Sequence, residues 1–161
     1  MIRDATGSDV PAITEIYNYY IEHTVVTFEE EAKTFSEMAE RIQAVQAKYP
    51  WIVMEVEGEI VGYAYATEWK SRSAYRFSAE STVYIKHGLN GKGYGHELYT
   101  VLLEKLRAKN MHCILAGIVP PNPASIKLHE KLGFRKIGIQ KEVGFKFNKW
   151  EDVGYWQLIF P

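Results

Sequence analysis

The chain has 161 residues, a formal net charge of -1 and 47% hydrophobic residues, which predicts one globular domain over residues 1–161 that folds around its own core. The single cysteine, Cys113, excludes an internal disulfide and a cysteine-based zinc site, and it favours a reducing, cytoplasmic location. The near-zero charge argues against nucleic acid or an anionic membrane as partner. No segment approaches the roughly 20 apolar residues of a membrane span.

The first half of the chain predicts a strand, two helices and a hairpin. A short strand around Ile2 to Ala5 precedes a first helix, in which Ile13, Ile16, Tyr17 and Tyr20 recur at helical spacing. Thr34 to Glu37 have the form of a capping box that begins a second helix, and Pro50 stops this helix. The β-rich runs 51–56 and 60–67, joined by a turn around Gly58, predict an antiparallel hairpin.

The second half predicts strands interleaved with helices. A strand over 79–86 leads through a glycine-rich loop into a helix ending near Asn110, and a strand over 111–119 leads into a short helix over 124–131. Three further strands are predicted over 135–139, 143–147 and 153–160. This order predicts an α/β fold in which a mixed sheet has helices on both faces.

Three glycines at alternate positions, Gly91, Gly93 and Gly95, stand between a predicted strand and a helix. The first amides of a helix lack internal partners and lie at the positive end of its dipole, which predicts a site for phosphate or pyrophosphate. An ordinary strand-to-helix turn explains the glycines about equally well. Their spacing fits neither a P-loop nor the dinucleotide fingerprint, and no zinc-protease motif or other metal site is expected.

Strand 83–85 with loop 90–95 forms one motif, and segments 122–125 and 128–134 form a second motif later in the chain. In this order the two motifs resemble the acetyl-CoA motifs of the GNAT N-acetyltransferase superfamily. The segments 49–51, 62–66, 69–70, 72–75, 80–84 and 152–157 look more narrowly like the phosphinothricin and methionine sulfoximine N-acetyltransferase family. The resemblance spans nearly the whole chain. It departs at Asn90, where the superfamily usually has Gln or Arg, but this change leaves the backbone amides of the loop in place.

The resemblance implies a mostly antiparallel sheet with a splayed strand pair, and acetyl-CoA bound in the opening without a metal. The residues implied to bind the cofactor are Val83, Tyr84 and Ile85 for the pantetheine arm, Gly91, Lys92, Gly93, Tyr94, Gly95 and His96 for the pyrophosphate, and Asn122 with Ser125 nearer the thioester. On the residues alone, a plain turn or a helix cap remains the alternative for Asn122.

The resemblance also implies two catalytic side chains. Glu80 would act as general base through water, which requires burial or an ordered water chain to strengthen a weak base; a solvated charge at a strand end is the alternative. His129 would protonate the departing thiolate, and a structural or solvated histidine on a helix surface is the alternative. Cys113 lies in an apolar run and is interpreted as core, so direct attack on the thioester is expected.

Acceptor recognition is assigned to two loops. The resemblance places Arg72, Ser73, Ala74 and Tyr75 at the substrate, where a cation can bind a carboxylate or phosphinyl oxygen, and it adds Phe28 and Glu29. A solvated loop without a ligand is the alternative.

The implied activity is acetylation of the α-amino group of L-phosphinothricin, methionine sulfoximine or methionine sulfone by a homodimer. Three alternatives stay open: acetyl transfer to another small amine or a protein N-terminus, a non-catalytic module that senses CoA, and a nucleotide-binding protein.

Overall fold

The computed structural model describes all 161 residues as one seven-stranded sheet with four α-helices. The strands are β1 (Ile2–Asp4), β2 (Trp51–Val56), β3 (Glu59–Glu68), β4 (Ser78–Ile85), β5 (Cys113–Ile118), β6 (Arg135–Lys146) and β7 (Lys149–Ile159). The helices are α1 (Val10–His23), α2 (Phe35–Gln46), α3 (Tyr94–Ala108) and α4 (Pro123–Lys131), with short 3-10 helices at Gly7–Asp9 and Ser73–Tyr75. None of the helices combines the length and apolar character needed to span a membrane.

The sheet order is β1-β2-β3-β4-β5-β7-β6, and every neighbouring pair is antiparallel except β4 with β5. This confirms the mixed, mostly antiparallel sheet. Local signals explain its first half. The Thr34 hydroxyl accepts from the Glu37 amide at 3.1 Å, and the Glu37 carboxylate accepts from the Thr34 amide at 2.9 Å, which begins α2 as predicted. Glu57 and Gly58 have φ of 52° and 81° and form the tight turn between β2 and β3.

Helices cover both faces of the sheet, as predicted. Along β2, Ile52 and Met54 point into a core formed with α3, whereas Trp51 and Val53 point into a core formed with α1 and α2. This alternation follows from the two-residue period of a strand, because successive side chains leave opposite faces. The same alternation decides which side of the sheet each functional residue occupies.

The parallel pair β4 and β5 creates an opening in the sheet. Pairing between the two strands covers only Ser78 to Glu80 against Cys113 to Leu115, although β4 continues to Ile85 and β5 to Ile118. Beyond Glu80 the two strands therefore diverge, and a gap flanked by backbone groups lies between them. This confirms the splayed strand pair. Helix α3 crosses from the end of β4 to the start of β5.

The C-terminal strands differ from the prediction of three separate strands. The chain forms two long strands instead, because the register shift between Gln140 and Gly144 is absorbed within β6. Glu142 has φ of 49° at this irregularity, and its amide donates to the Asp152 carboxylate at 2.8 Å. The turn to β7 uses Phe147 and Asn148, both with positive φ. Neither position is glycine, so no strong turn signal marks this turn in the sequence.

Candidate active site

The edge of β4 that faces the gap carries backbone groups with no strand partner. The Lys86 amide donates to the Val61 carbonyl of the neighbouring chain segment at 2.9 Å. Successive residues of an antiparallel strand direct their backbone groups alternately to one side and the other. Because Lys86 is bonded to β3, the backbone groups of Val83 and Ile85 point away from β3 and towards the gap. Tyr84 lies between them and its backbone groups face β3. The geometry therefore favours two of the three residues expected to bind a pantetheine arm.

The glycine-rich loop places open amides at the N-terminus of α3. Gly91 and Gly93 have φ of 83° and 86° and are exposed, and an added Cβ at either would meet nothing within 4 Å. These glycines are required by backbone conformation rather than by lack of space. No side chain caps α3 at Gly93, so its first amides are available to an anion. Gly95 differs, because an added Cβ would lie 3.4 Å from Leu128 of α4.

The other predicted residues of this loop surround those amides. Lys92 is exposed, whereas Tyr94 and His96, in the first turn of α3, are half-buried. Tyr20 of α1 contacts the same region, since its hydroxyl donates to the Ile85 carbonyl at the end of β4. The loop thus has exposed amides and one cation, and the end of β4 that precedes it is held by α1. This arrangement fits the pyrophosphate of a CoA molecule.

Asn122 caps α4. Its side-chain oxygen accepts from the Ser125 amide at 3.2 Å, which is the structural alternative that the sequence offered for this residue. The cap uses the side chain of Asn122 and the amide of Ser125. The backbone amide of Asn122, the group that the resemblance assigns to the cofactor arm, takes no part in the cap.

Glu80 is the last β4 residue paired with β5, and its side chain leaves the sheet on the α1 and α2 face. It lies on the same face as Tyr84, which belongs to the core under α1, and opposite to Ala79, which belongs to the α3 core. The carboxylate is half-buried. Burial alone raises the pKa of Glu80 above its usual value, with no hydrogen bond or ion pair to oppose the shift. This is the environment that strengthens a carboxylate as a base.

Aromatic residues that the sequence reasoning did not assign border Glu80. Tyr155 of β7 is half-buried, and burial together with the charge of Glu80 raises the pKa of Tyr155. Its ring meets Trp69 edge-on, with centroids 5.5 Å apart. Both residues occur in segments that carry the family resemblance, but only the fold shows that they share the neighbourhood of Glu80.

His129 is buried rather than on the helix surface, being 5% exposed. Its Nδ1 lies 2.7 Å from the Ser125 carbonyl and therefore carries the proton that this oxygen accepts. Its Nε2 accepts from the Tyr99 hydroxyl at 3.1 Å, and that hydroxyl is also bonded to the Ser81 hydroxyl. Burial lowers the pKa of His129, although the bond to Ser125 opposes the shift. The imidazole is thus neutral with both nitrogens engaged.

The loop between α1 and α2 holds the predicted acceptor residues Phe28 and Glu29. The Phe28 ring lies against Gly144 of β6, where an added Cβ would collide with it. The Glu29 carboxylate accepts hydrogen bonds from both terminal nitrogens of Arg41, at 2.7 and 2.8 Å. It also accepts one from the Tyr17 hydroxyl, and it lies 3.3 Å from the Lys33 ammonium. The Arg41 guanidinium is the main cause that lowers the pKa of Glu29 to about 2. The Glu29 carboxylate is therefore occupied by its own chain.

A buried lysine fixes the same loop to the sheet. Lys146 of β6 is 1% exposed, and its ammonium donates to the Thr27 carbonyl at 2.8 Å. Burial lowers the pKa of Lys146, and the nearby acidic residues Glu30 and Glu29 oppose the shift. The loop is thus positioned by ionic and hydrogen-bonded contacts from α1, α2 and β6.

The second predicted acceptor segment, Arg72, Ser73, Ala74 and Tyr75, is exposed and contains the short helix Ser73–Tyr75. Lys70 adds a cation 5.4 Å from the centre of the Tyr75 ring. The segment lies in the connection between β3 and β4, which leads into the strand that carries Glu80. Its charged groups are open to an incoming anion.

A cavity with a volume of about 460 Å³ lies away from this region, near the start of α1. Most of its ionic groups are paired, since Arg3 binds Asp9 at 2.7 Å and Glu55 at 3.0 Å and Lys86 binds Glu59. The remaining carboxylate, Glu15, is exposed on α1. No group of three or more His, Cys, Asp or Glu side chains is placed to hold a metal ion.

Comparison with known proteins identifies the family. Residues 2–154 match the model of the acetyltransferase (GNAT) domain. A phosphinothricin N-acetyltransferase from Streptomyces viridochromogenes is 43% identical over 159 residues, which cover 99% of this chain and 87% of that protein. An L-methionine sulfoximine/L-methionine sulfone acetyltransferase from Salmonella typhimurium is 36% identical, with coverage of 98% and 92%.

A solved structure supports the same assignment. A phosphinothricin acetyltransferase from Sinorhizobium meliloti in complex with acetyl-CoA superimposes with a TM-score of 0.95 and is 36% identical, covering 99% of this chain and 88% of that one. The gap between β4 and β5 and the open amides before α3 have the chemistry that such a cofactor requires. Acetyl-CoA is the cosubstrate, and the chain is an N-acetyltransferase that belongs to the GNAT acetyltransferase family.

Proposed function

We propose that the protein transfers the acetyl group of acetyl-CoA to the α-amino group of a small amino-acid analogue of the phosphinothricin and methionine sulfoximine type. The observation that carries this proposal is Glu80, an unpaired, half-buried carboxylate at the point where the β4–β5 gap opens. The acceptors named for the two relatives, at 43% and 36% identity, support the substrate class.

Acetyl-CoA would lie along the gap. Val83 and Ile85 supply backbone groups to the pantetheine arm, and the segment Gly91 to His96 supplies amides and the Lys92 cation to the pyrophosphate. The Asn122 amide and Ser125, at the start of α4, serve the arm nearer the thioester. Tyr84 has its backbone groups turned towards β3 and contributes its ring to the core formed with α1 and α2.

The chemistry is direct aminolysis of the thioester. Glu80 removes a proton from the acceptor ammonium through water, the free amine attacks the carbonyl carbon, and the carbon–sulfur bond breaks to give the N-acetyl product and CoA thiol. Backbone amides of β4 at the gap stabilise the charge that develops on the carbonyl oxygen. His129 protonates the thiolate only after its Nε2 has taken up a proton, because in the structure Nδ1 carries the imidazole proton and Nε2 accepts from Tyr99. The second proton released by the attacking nitrogen balances this step, and Nε2 then exchanges the Tyr99 hydrogen bond for a contact with sulfur.

The acceptor is bound between the two loops. The exposed cation of Arg72 and the neighbouring residues to Tyr75 bind its carboxylate or its phosphinyl or sulfoximine oxygens. Phe28 forms the facing wall. Because the Glu29 carboxylate is occupied by Arg41, its role is to hold the Phe28 loop in place rather than to contact the acceptor.

The active form is proposed to be a homodimer in the cytoplasm. Strand β6 is an edge of the sheet, and large apolar side chains on β6, β7 and their turn are exposed: Ile137, Val143, Phe145, Phe147 and Trp150. A long exposed edge of this kind is normally covered. Light scattering after size-exclusion chromatography should give the mass of two chains, and replacing Phe145 with Lys should shift it to the mass of one.

The test of the activity is release of CoA thiol from acetyl-CoA in the presence of phosphinothricin, methionine sulfoximine, glutamate, methionine, a polyamine or an alanine-terminated peptide. We expect rapid release with the first two and slow release with the others. A site that binds the oxygens of a tetrahedral phosphorus or sulfur discriminates against analogues that lack this group. Release with the peptide or polyamine alone would support another acceptor class, and release with none would support a CoA sensor.

A further inference from the structure

We propose that Gly117 determines which acceptors the enzyme accepts, because its missing side chain is the space beside Glu80 that the acceptor amino group enters. This inference rests on the proposed function and refines it. Gly117 lies on β5, two residues beyond Leu115, where pairing with β4 ends. It therefore borders the gap at the position where a thioester and an amine must meet.

Gly117 and Glu80 lie on the same face of the sheet. On β5, Ile114, Ala116 and Ile118 point into the α3 core, so Gly117 is on the opposite face, which is also the face of Glu80. An added Cβ at Gly117 would lie 3.7 Å from Oε1 of Glu80, 3.4 Å from the Tyr155 ring and 3.5 Å from Val153. The position is exposed. Strands β4, β5 and β7 thus border one open space, and the Glu80 carboxylate lies at its edge.

The backbone does not require glycine at this position. Gly117 has no positive φ, and the distances from an added Cβ are those of ordinary van der Waals contact. Glycine inside a strand destabilises the fold relative to alanine, because it has no side chain to pack and loses more conformational freedom on folding. An alanine would fit the fold at Gly117, so the property that glycine supplies is the open volume.

That volume has the position needed for acceptor chemistry. The acceptor nitrogen, or the water that carries its proton, must come within hydrogen-bonding distance of the Glu80 carboxylate. A methyl group 3.7 Å from Oε1 would occupy the place of that first contact. The edge-on pair of Tyr155 and Trp69 closes the space with apolar surface, which suits the carbon chain of an α-amino acid.

The test compares Gly117→Ala and Gly117→Val with the matched control Gly138→Ala. Gly138 lies in β6 beside Tyr155, and its added Cβ would meet nothing within 4 Å. Each variant is assayed with the amine panel described above, using the best acceptors of the parent enzyme, and CoA affinity and melting temperature are measured in parallel. We expect kcat/KM for the acceptor to fall about tenfold or more in Gly117→Ala and further in Gly117→Val, with CoA affinity within about twofold of the parent.

The outcomes separate this inference from the proposed function. If the parent enzyme uses another amine in place of phosphinothricin and methionine sulfoximine, the substrate class is wrong, and the Gly117 variants are compared with that amine. If both Gly117 variants bind CoA, melt like the control and retain the parent kcat/KM, the role of Gly117 is overturned. A parent enzyme that acetylates no amine overturns both.

Discussion

Two glutamates, Glu29 in the connection before α2 and Glu80 on β4, have contrasting surroundings. Glu29 is bound by Arg41 and Tyr17 with Lys33 nearby, and its pKa is lowered to about 2. Glu80 has no partner, and burial raises its pKa. A paired carboxylate is a poor base because its charged form is already stabilised, whereas a desolvated, unpaired carboxylate gains affinity for a proton. Hydrogen-bond and ion-pair partners are therefore the property by which we assign a structural role to Glu29 and propose a chemical role for Glu80.

The largest expected effect comes from removing the unpaired carboxylate. Glu80→Gln keeps the size of the side chain but removes the base, so kcat/KM should fall by about 10²–10⁴-fold. CoA affinity, measured by calorimetry, should stay close to that of the parent. The matched variant Glu29→Gln should lose far less activity per folded molecule. Equal losses in the two variants would remove the distinction between the glutamates.

The pH dependence of activity sharpens the same contrast. Glu80 must be ionised to act as base, so kcat/KM should rise with pH through a pKa above the usual glutamate value of about 4.5 and then level off with respect to this group. The profile is measured in stopped assays from pH 5 upward. If the residual kcat/KM of Glu80→Gln still rises with pH in the same way, the titrating group is not Glu80.

The paired carboxylate should instead affect stability. Glu29→Gln removes the ion pair with Arg41, and because the Glu29 side chain is 30% exposed we expect a loss of about 1–2 kcal/mol in the free energy of unfolding at pH 7. A lowered carboxylate pKa stabilises the fold above the unfolded value and ceases to do so as pH falls towards 2. Urea unfolding should therefore show a smaller difference in the free energy of unfolding between the parent and Glu29→Gln at pH 3 than at pH 7.

The smallest effect concerns His129, which is buried in its neutral form. Its pKa is lowered in the folded protein, so the unfolded chain takes up a proton first as pH falls below about 6.5, and stability decreases by up to about 1.4 kcal/mol per pH unit. His129→Gln should lack this loss between pH 7 and pH 5.5. Melting curves over this range make the comparison, and parallel slopes would show that the imidazole is not a buried neutral group.

Local signals in the sequence predicted most of the fold. The capping box at Thr34, the turn at Gly58 and the glycines before α3 each act over a few residues, and the structure has all three where expected. The two long C-terminal strands were divided into three because the irregularity at Glu142 is stabilised by Asp152 from another strand. Contacts of that kind join residues that are distant in sequence.

The candidate site was harder to predict for the same reason. The sequence pointed to Glu80, His129 and Glu29 as functional groups, but the burial of His129 against Tyr99 and the capture of Glu29 by Arg41 depend on helix packing. Cys113 was interpreted as buried in the middle of a strand, whereas it is half-buried at the start of β5 with Gln157 donating to its sulfur at 3.1 Å. The sequence contained no signal for Gly117, because the role proposed for this residue rests on the absence of a side chain.

The single parallel pair in the sheet has a consequence for how such an enzyme can diverge. The gap and the open amides both belong to one continuous stretch, from β4 through α3 to β5. Apart from Glu80 on β4 and Gly117 on β5, the surfaces proposed to face the acceptor come from separate connections, before α2 and before β4, and from β7. Mutations can therefore accumulate in the acceptor surfaces without altering the acyl-donor half. This division makes new acceptor preferences accessible by gradual sequence change within a constant scaffold.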